Sequence, residues 1–160
     1  MKRLAFAVAL TLTTTLCGCS AESAGPNSEP TSQRAENPAR LWLREAQRAH
    51  ALADRAQSPQ AQREAAAALA ALAGTAPPEG LHAANAIPER QDLYGRAADL
   101  YAKIGESSRA LELLAEGLAL GNSPNPFRTQ LVVQTAEVKA AMGDLEGAEE
   151  ATEWARRLVR

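Results

Sequence analysis

Thiols and imidazoles are the side chains of this 160-residue chain best suited to nucleophilic or metal chemistry, and there are few of them. The two cysteines, Cys17 and Cys19, sit two residues apart in the string Leu16-Cys17-Gly18-Cys19. As a metal site a lone C-x-C lacks two of the four ligands that a structural zinc ion takes. The histidines, His50 and His82, are 32 residues apart and belong to no H-E-x-x-H pattern. His50 borders an apolar helical stripe and is expected to be structural; His82 falls in a Pro/Gly-bounded segment and is expected to be solvated. No nucleophile elbow, Walker A loop or dinucleotide fingerprint occurs. The nearest string, Gly105-Glu106-Ser107-Ser108-Arg109, ends in arginine. Carboxylates are spread along helix faces at spacings that i, i+4 pairing and solubility explain. We therefore expect no enzymatic activity, no catalytic residue, no metal, no cofactor and no small-molecule substrate.

What flanks the cysteines is more informative. Lys2-Arg3 precedes the apolar run Leu4–Leu16, the cysteines close it, and a polar Ala/Glu/Ser/Gly/Pro stretch follows. Charge, short apolar segment, small residue and cut is the order of a secretory signal peptide. At about 1.5 Å per residue the run reaches roughly 20 Å, short of a hydrocarbon core of about 30 Å, so it is not read as a membrane span. The four residues at its end resemble the lipobox of bacterial lipoproteins: Leu16 at the bulky apolar position, Gly18 at the tiny one, and Cys19 as the first residue of the processed chain. Cys17 departs from the usual Ala, Ser, Thr or Val but is small. The resemblance implies that residues 1–18 are removed and that Cys19 is lipidated. Two or three acyl chains, at about 0.8 kcal/mol per buried CH₂, would hold the chain durably on a membrane. Ser20 rather than Asp after the cysteine resembles the outer-membrane sorting signal of Gram-negative lipoproteins. The expected location is the cell envelope, outer membrane, facing the periplasm.

Removing Lys2 and Arg3 takes the formal charge from −2 to −4, and a mildly acidic, mixed-charge chain is a poor match for nucleic acid. Past Cys19 no thiol remains, so disulfides cannot staple the fold. Residues 19–37 contain no Leu, Ile, Val or aromatic residue. Such a segment buries too little to offset its ordering entropy, and we expect a disordered tether of about 25 Å.

From Asn37 onward the sequence reads as helix. Asn37-Pro38, Ser58-Pro59 and Asn125-Pro126 each place a side-chain acceptor at the N-cap and a proline at the first helical position. Pro88 is expected to open another helix. In the first helix, Pro38–Ala56, Trp42, Ala46, Ala49, Ala53 and Ala56 form an apolar stripe with Arg40, Arg44 and Arg48 nearly opposite. In the second, Pro59–Ala73, the expected face is Ala61, Ala65, Ala68 and Leu72. A loop follows over 74–87.

The remainder, 88–160, carries an internal repeat of 38 residues. Gly105-Glu106 falls on Gly143-Asp144, Ala98 on Ala136, Ala110 on Ala148 and Gly117 on Ala155, with Ile104 and Met142 before the glycines. This register resembles the tetratricopeptide repeat, which keeps small residues where its two helices cross. Tyr94, Tyr101 and Leu114 fill the large positions of the first copy; Val132, Lys139 and Thr152 fill those of the second, which is degenerate. The N-terminal hairpin, 38–73, does not fit the register. One hairpin cannot bury its apolar face alone, so the expected fold is all-α: a short right-handed α-solenoid of about three helical hairpins.

The resemblance implies a groove lined by the first helix of each copy: Asp92, Asp99 and Lys103, then Gln130, Val133 and Glu137. It is slightly acidic and suits an extended peptide carrying Lys or Arg. The stripe Arg40, Arg44 and Arg48, close to the tether, is a second candidate, facing anionic head groups or wall acids. Trp154 is expected to cover the end of the stack. The expected function is a lipid-anchored adaptor for other envelope proteins or peptides; the alternative is an inhibitor or immunity-type lipoprotein that blocks a single protein.

Overall fold

The computed structural model describes residues 37–78, 81 and 83–159. Cys17, Cys19, the expected signal peptide, the tether up to residue 36 and His82 lie outside the described residues. Within them the chain is helical, with no strand: α1 (Pro38–Arg55), α2 (Pro59–Gly74), α3 (Ala83–Lys103), α4 (Ser107–Ala119), α5 (Pro126–Ala141) and α6 (Leu145–Val159).

The three expected Asx/Ser-Pro starts all cap helices. Asn37 Oδ1 accepts from Ala39 N at 2.9 Å, Ser58 Oγ from Ala61 N at 3.2 Å, and Asn125 Oδ1 from Arg128 N at 2.9 Å. Each proline sits where its missing N–H has no helical partner to lose. Three-residue connections join α1 to α2, α3 to α4 and α5 to α6, short enough to make each pair an antiparallel hairpin. Every helix packs on its successor, and α3 also packs on α1 and on α5.

The 38-residue register is visible in the backbone. Gly105 N donates to Ala102 O at 3.0 Å and Glu106 N to Tyr101 O at 2.9 Å; Gly143 N donates to Ala140 O at 3.0 Å and Asp144 N to Lys139 O at 3.0 Å. Both turns are Schellman motifs, and both glycines have φ in the left-handed region, +81° and +83°, where a Cβ would be strained. The small positions Ala98, Ala110, Gly117, Ala136, Ala148 and Ala155 are all buried.

Two expectations change. The loop after α2 is shorter than 74–87, because α3 starts at Ala83 and Pro88 lies inside it. Proline removes one backbone bond near a helix start, and the tertiary gain outweighs that loss: Ala86 is buried, and Ile87 lies over Gly121, where an added Cβ would meet its Cδ1 and Cγ2 at 3.4 Å. The face of α2 is also rotated. Its buried residues are Ala65, Ala66, Leu69 and Ala73, while Ala68 is exposed and Ala61 and Leu72 half-buried. The helix is apolar almost all round, so Leu69, its bulkiest fully buried side chain, sets which side faces the core. The α1 stripe of Trp42, Ala46, Ala49 and Ala53 is buried as expected, with Arg40, Arg44 and Arg48 exposed.

Candidate functional site

Docking of α5 on the hairpin before it defines the only described region where a cavity, buried polar groups and candidate residues meet. Gly95 and Gly117 allow close approach. A Cβ on Gly117 would lie 2.9 Å from Leu131 Cδ1 and 3.0 Å from Tyr94 Cβ; one on Gly95 would lie 3.1 Å from Leu131 Cδ2 and 3.0 Å from Gln134 Oε1. Leu131 fills the space these glycines leave.

The end of α4 is held by side chains as well as by its own cap, in which Leu120 N donates to Gly117 O at 3.4 Å. Arg128, itself buried, donates from one Nη to the carbonyls of Leu118 (3.1 Å) and Gly121. Its guanidinium lies 5.4 Å from the ring centroid of Trp154, a cation–π contact from α5 to α6. Its Nε–H has no hydrogen-bond partner among the described residues. Buried Gln91 donates to Gly117 O at 3.2 Å and accepts from Asn125 Nδ2 at 2.9 Å. One repeat earlier Arg90 does what Arg128 does: its Nε donates to Ala73 O at 2.6 Å, in the last turn of α2. Both arginines stand three residues before a fully buried leucine, Leu93 or Leu131, and ten before a second buried apolar residue, Leu100 or Val138. Cations at the C-terminal carbonyls of a helix also complement its dipole. The Arg-x-x-Leu-x₆-(Leu/Val) recurrence was legible in the 38-residue spacing, but each arginine taken singly reads as a surface charge.

The structure divides the six candidate groove residues. Asp99 and Glu137 line one cavity of about 150 Å³ between α3, α4 and α5, with Gln134 and Ala98. Lys103 joins them through Asp99, its Nζ 2.7 Å from Oδ2, and Arg96 stands 4.0 Å from the same oxygen. Glu137 makes no ion pair among the described residues, and Gln134 Oε1 is buried without a hydrogen-bond partner there. Asp92 belongs elsewhere: it faces His50 of α1 at 3.3 Å and ties α1 to α3. Val133 lines a different groove, between α5 and α6, and Gln130 is exposed.

No family model, curated protein or solved structure matches this chain. Chemistry must therefore be judged from the side chains. His50 and Asp92 form the one His–carboxylate pair among the described residues, and no hydroxyl or thiol there hydrogen-bonds to the imidazole. No group of three or more His, Cys, Asp or Glu side chains suited to a metal ion occurs among the described residues, and no helix among them is long and apolar enough to cross a membrane. Trp154, expected as an end cap, is half-buried and forms one wall of an open groove of about 730 Å³ along α5 and α6, with Lys139, Glu146, Glu150 and Arg157. Arg63 of α2 reaches Glu106, the residue before α4, Nε to Oε1 2.7 Å, and the Glu106 side chain does not cap the helix.

Proposed function

We propose that this chain is a lipid-anchored adaptor of a bacterial cell envelope: Cys19 holds it to the membrane, residues 19–37 stand it off, and the helical hairpins form a short right-handed solenoid, similar to tetratricopeptide repeats, that gathers envelope proteins or peptides. The observation that carries the reading is the 38-residue recurrence of seating, in which Arg90 and Leu93, then Arg128 and Leu131, place successive first helices on the hairpin before them. Repeated docking of this kind makes an extended side-chain surface without a catalytic centre. Asp99 and Glu137 give that surface its acidic cavity, which suits a peptide presenting Lys or Arg.

Two variants test the two halves of the proposal. Cys19→Ser moves the protein from the membrane to the soluble fraction and abolishes incorporation of labelled fatty acid; unchanged retention refutes the anchor. A photocrosslinker at Glu137 in the anchored protein captures envelope proteins, and Asp99→Lys removes the capture while far-ultraviolet circular dichroism stays unchanged. Capture indifferent to Asp99→Lys, or stronger from a crosslinker at Arg40, refutes the cavity as the binding surface. Asp92 is the wrong place for this test, because it faces His50 of α1 and does not line the cavity.

A further inference from the structure

Thr129, Val133, Thr152, Ala155, Arg156 and Val159 line a groove of about 460 Å³ on the α5–α6 hairpin. Moving each back by 38 residues gives Gln91, Gly95, Leu114, Gly117, Leu118 and Gly121. All but Leu114 touch α5 or its N-cap: Asn125 donates to Gln91, Leu131 lies against Gly95 and Gly117, and Arg128 reaches the carbonyls of Leu118 and Gly121. The groove on α5–α6 is thus the seat that holds a helix one repeat earlier, now presented at the surface. Val133 and Ala155 replace the two glycines, so this seat is shallower.

The chain itself carries a helix whose exposed face matches this seat, α6. Leu145, Glu149, Thr152, Arg156 and Val159 fall at i, i+4, i+7, i+11 and i+14 on one stripe of α6. Leu145 is 71% exposed, Val159 75% and Val133 40%; three of the large apolar side chains exposed among the described residues therefore share this face. The stripe is self-complementary about Thr152. Turned end for end, it sets Leu145 against Val159 and Glu149 against Arg156, with threonine on threonine at the centre. The helix as a whole has the same polarity, Glu146, Glu149, Glu150 and Glu153 first and Arg156 and Arg157 last, and antiparallel helices also oppose their dipoles favourably.

We propose that this face is a homodimer interface: α6 of a second copy packs antiparallel on α6, its ends seated over the α5–α6 grooves, about a two-fold axis through Thr152. A two-fold interface requires one patch to be its own complement, which this stripe is in apolarity and charge. The inference is independent of the anchor and of the acidic cavity.

The test is sedimentation equilibrium of the full chain in density-matched detergent at low salt. The expected mass rises with concentration from one chain to two and stops there. Glu149→Arg alone and Arg156→Glu alone each face like charges and weaken the dimer by about tenfold or more; both residues are exposed, and the ion pair of Arg156 with Glu153 on its own helix, at 3.3 Å, is an exposed one that contributes little to the fold. An equimolar mixture of the two variants, in which every cross-pair is again of opposite sign, restores it. A monomer at all concentrations overturns the proposal. So does a dimer indifferent to both variants, growth beyond two chains, or an assembly lost instead on Leu52→Glu in α1, which would place the contact at the other end of the fold.

Discussion

Substituting Gly117 by alanine sets two effects of known sign against each other. Gly117 has no left-handed φ and lies inside α4, so alanine gains about 1 kcal/mol of helix propensity. Against that gain, the new Cβ would stand 2.9 Å from Leu131 Cδ1 and 3.0 Å from Tyr94 Cβ. Leu131 can rotate its methyl away. The Tyr94 Cβ moves only with the α3 backbone, so α3 and α4 must separate by several tenths of an ångström along their whole contact. Overpacking of this kind costs about 1–3 kcal/mol. The balance is a net destabilisation of up to about 2 kcal/mol, a fall in Tm of several degrees for a chain of this size. Gly95→Ala is the control. It has the same propensity gain, but its Cβ would meet only Leu131 Cδ2 and Gln134 Oε1 at 3.1 and 3.0 Å, both ends of flexible side chains. Urea unfolding of the wild type and the two variants, followed at 222 nm, should place Gly95→Ala at or above the wild type and Gly117→Ala below it. Gly117→Ala as stable as Gly95→Ala would show that α3 and α4 are not in close contact at Gly117, and the docking described for α5 would fail with it.

Arg128→Met keeps much of the side-chain volume but leaves the half-buried carbonyls of Leu118 and Gly121 without their donor and Trp154 without its cation; at about 1 kcal/mol per half-buried hydrogen bond lost, it should destabilise more than Arg90→Met, which releases the carbonyl of Ala73, and equal losses in urea unfolding would refute the assignment. Burial pushes the Tyr94 phenol up, with the charge of Glu116 adding to the shift and Arg90 opposing it. Because the folded value lies above the unfolded value of about 10, its contribution to stability is complete below that pH and disappears as pH climbs through the folded value. The wild type should therefore lose stability above about pH 10 more steeply than Tyr94→Phe; parallel profiles would refute it.

Much of the fold could be read from residue types because its signals are local. The Asx-Pro and Ser-Pro starts at 37, 58 and 125 and the glycines at 105 and 143 each satisfy their own backbone, so neighbours need not be known. The start of α3 could not be read this way: Pro88 is a helix-opening signal in isolation, and only the burial of Ala86 and the place of Ile87 over Gly121 carry the helix back to Ala83. The face of α2 was hidden for a related reason, since a helix so rich in alanine has little amphipathic contrast to orient it. Of the groove candidates, Asp99 and Glu137 come together because both copies share one register and α5 lies along α3. Asp92 obeys the same register, yet His50 claims it, and the hairpin bearing His50 falls outside the repeat.

The differences between the two copies follow from what covers each. Tyr94, Tyr101 and Leu114 stand where Val132, Lys139 and Thr152 stand 38 residues later. The first three are buried, with Tyr94 and Leu114 packed near the residues that seat α5. In the second copy Val132 is buried, but Lys139 and Thr152 are partly exposed. The polar replacements therefore fall on the side that α5–α6 presents outward, and the buried small positions Ala136, Ala148 and Ala155 keep their type. A hairpin whose outer face merely faced water would be expected to lose its apolar residues there as well. This one instead carries Val133, Leu145 and Val159, where the first copy has Gly95, Ser107 and Gly121, around the polar centre Thr152. Apolar ends with a polar middle and opposite charges between them keep the face soluble in a single chain and still allow it to match a second copy, whereas uniform decay toward a polar surface would produce neither the spacing nor the sign of that pattern.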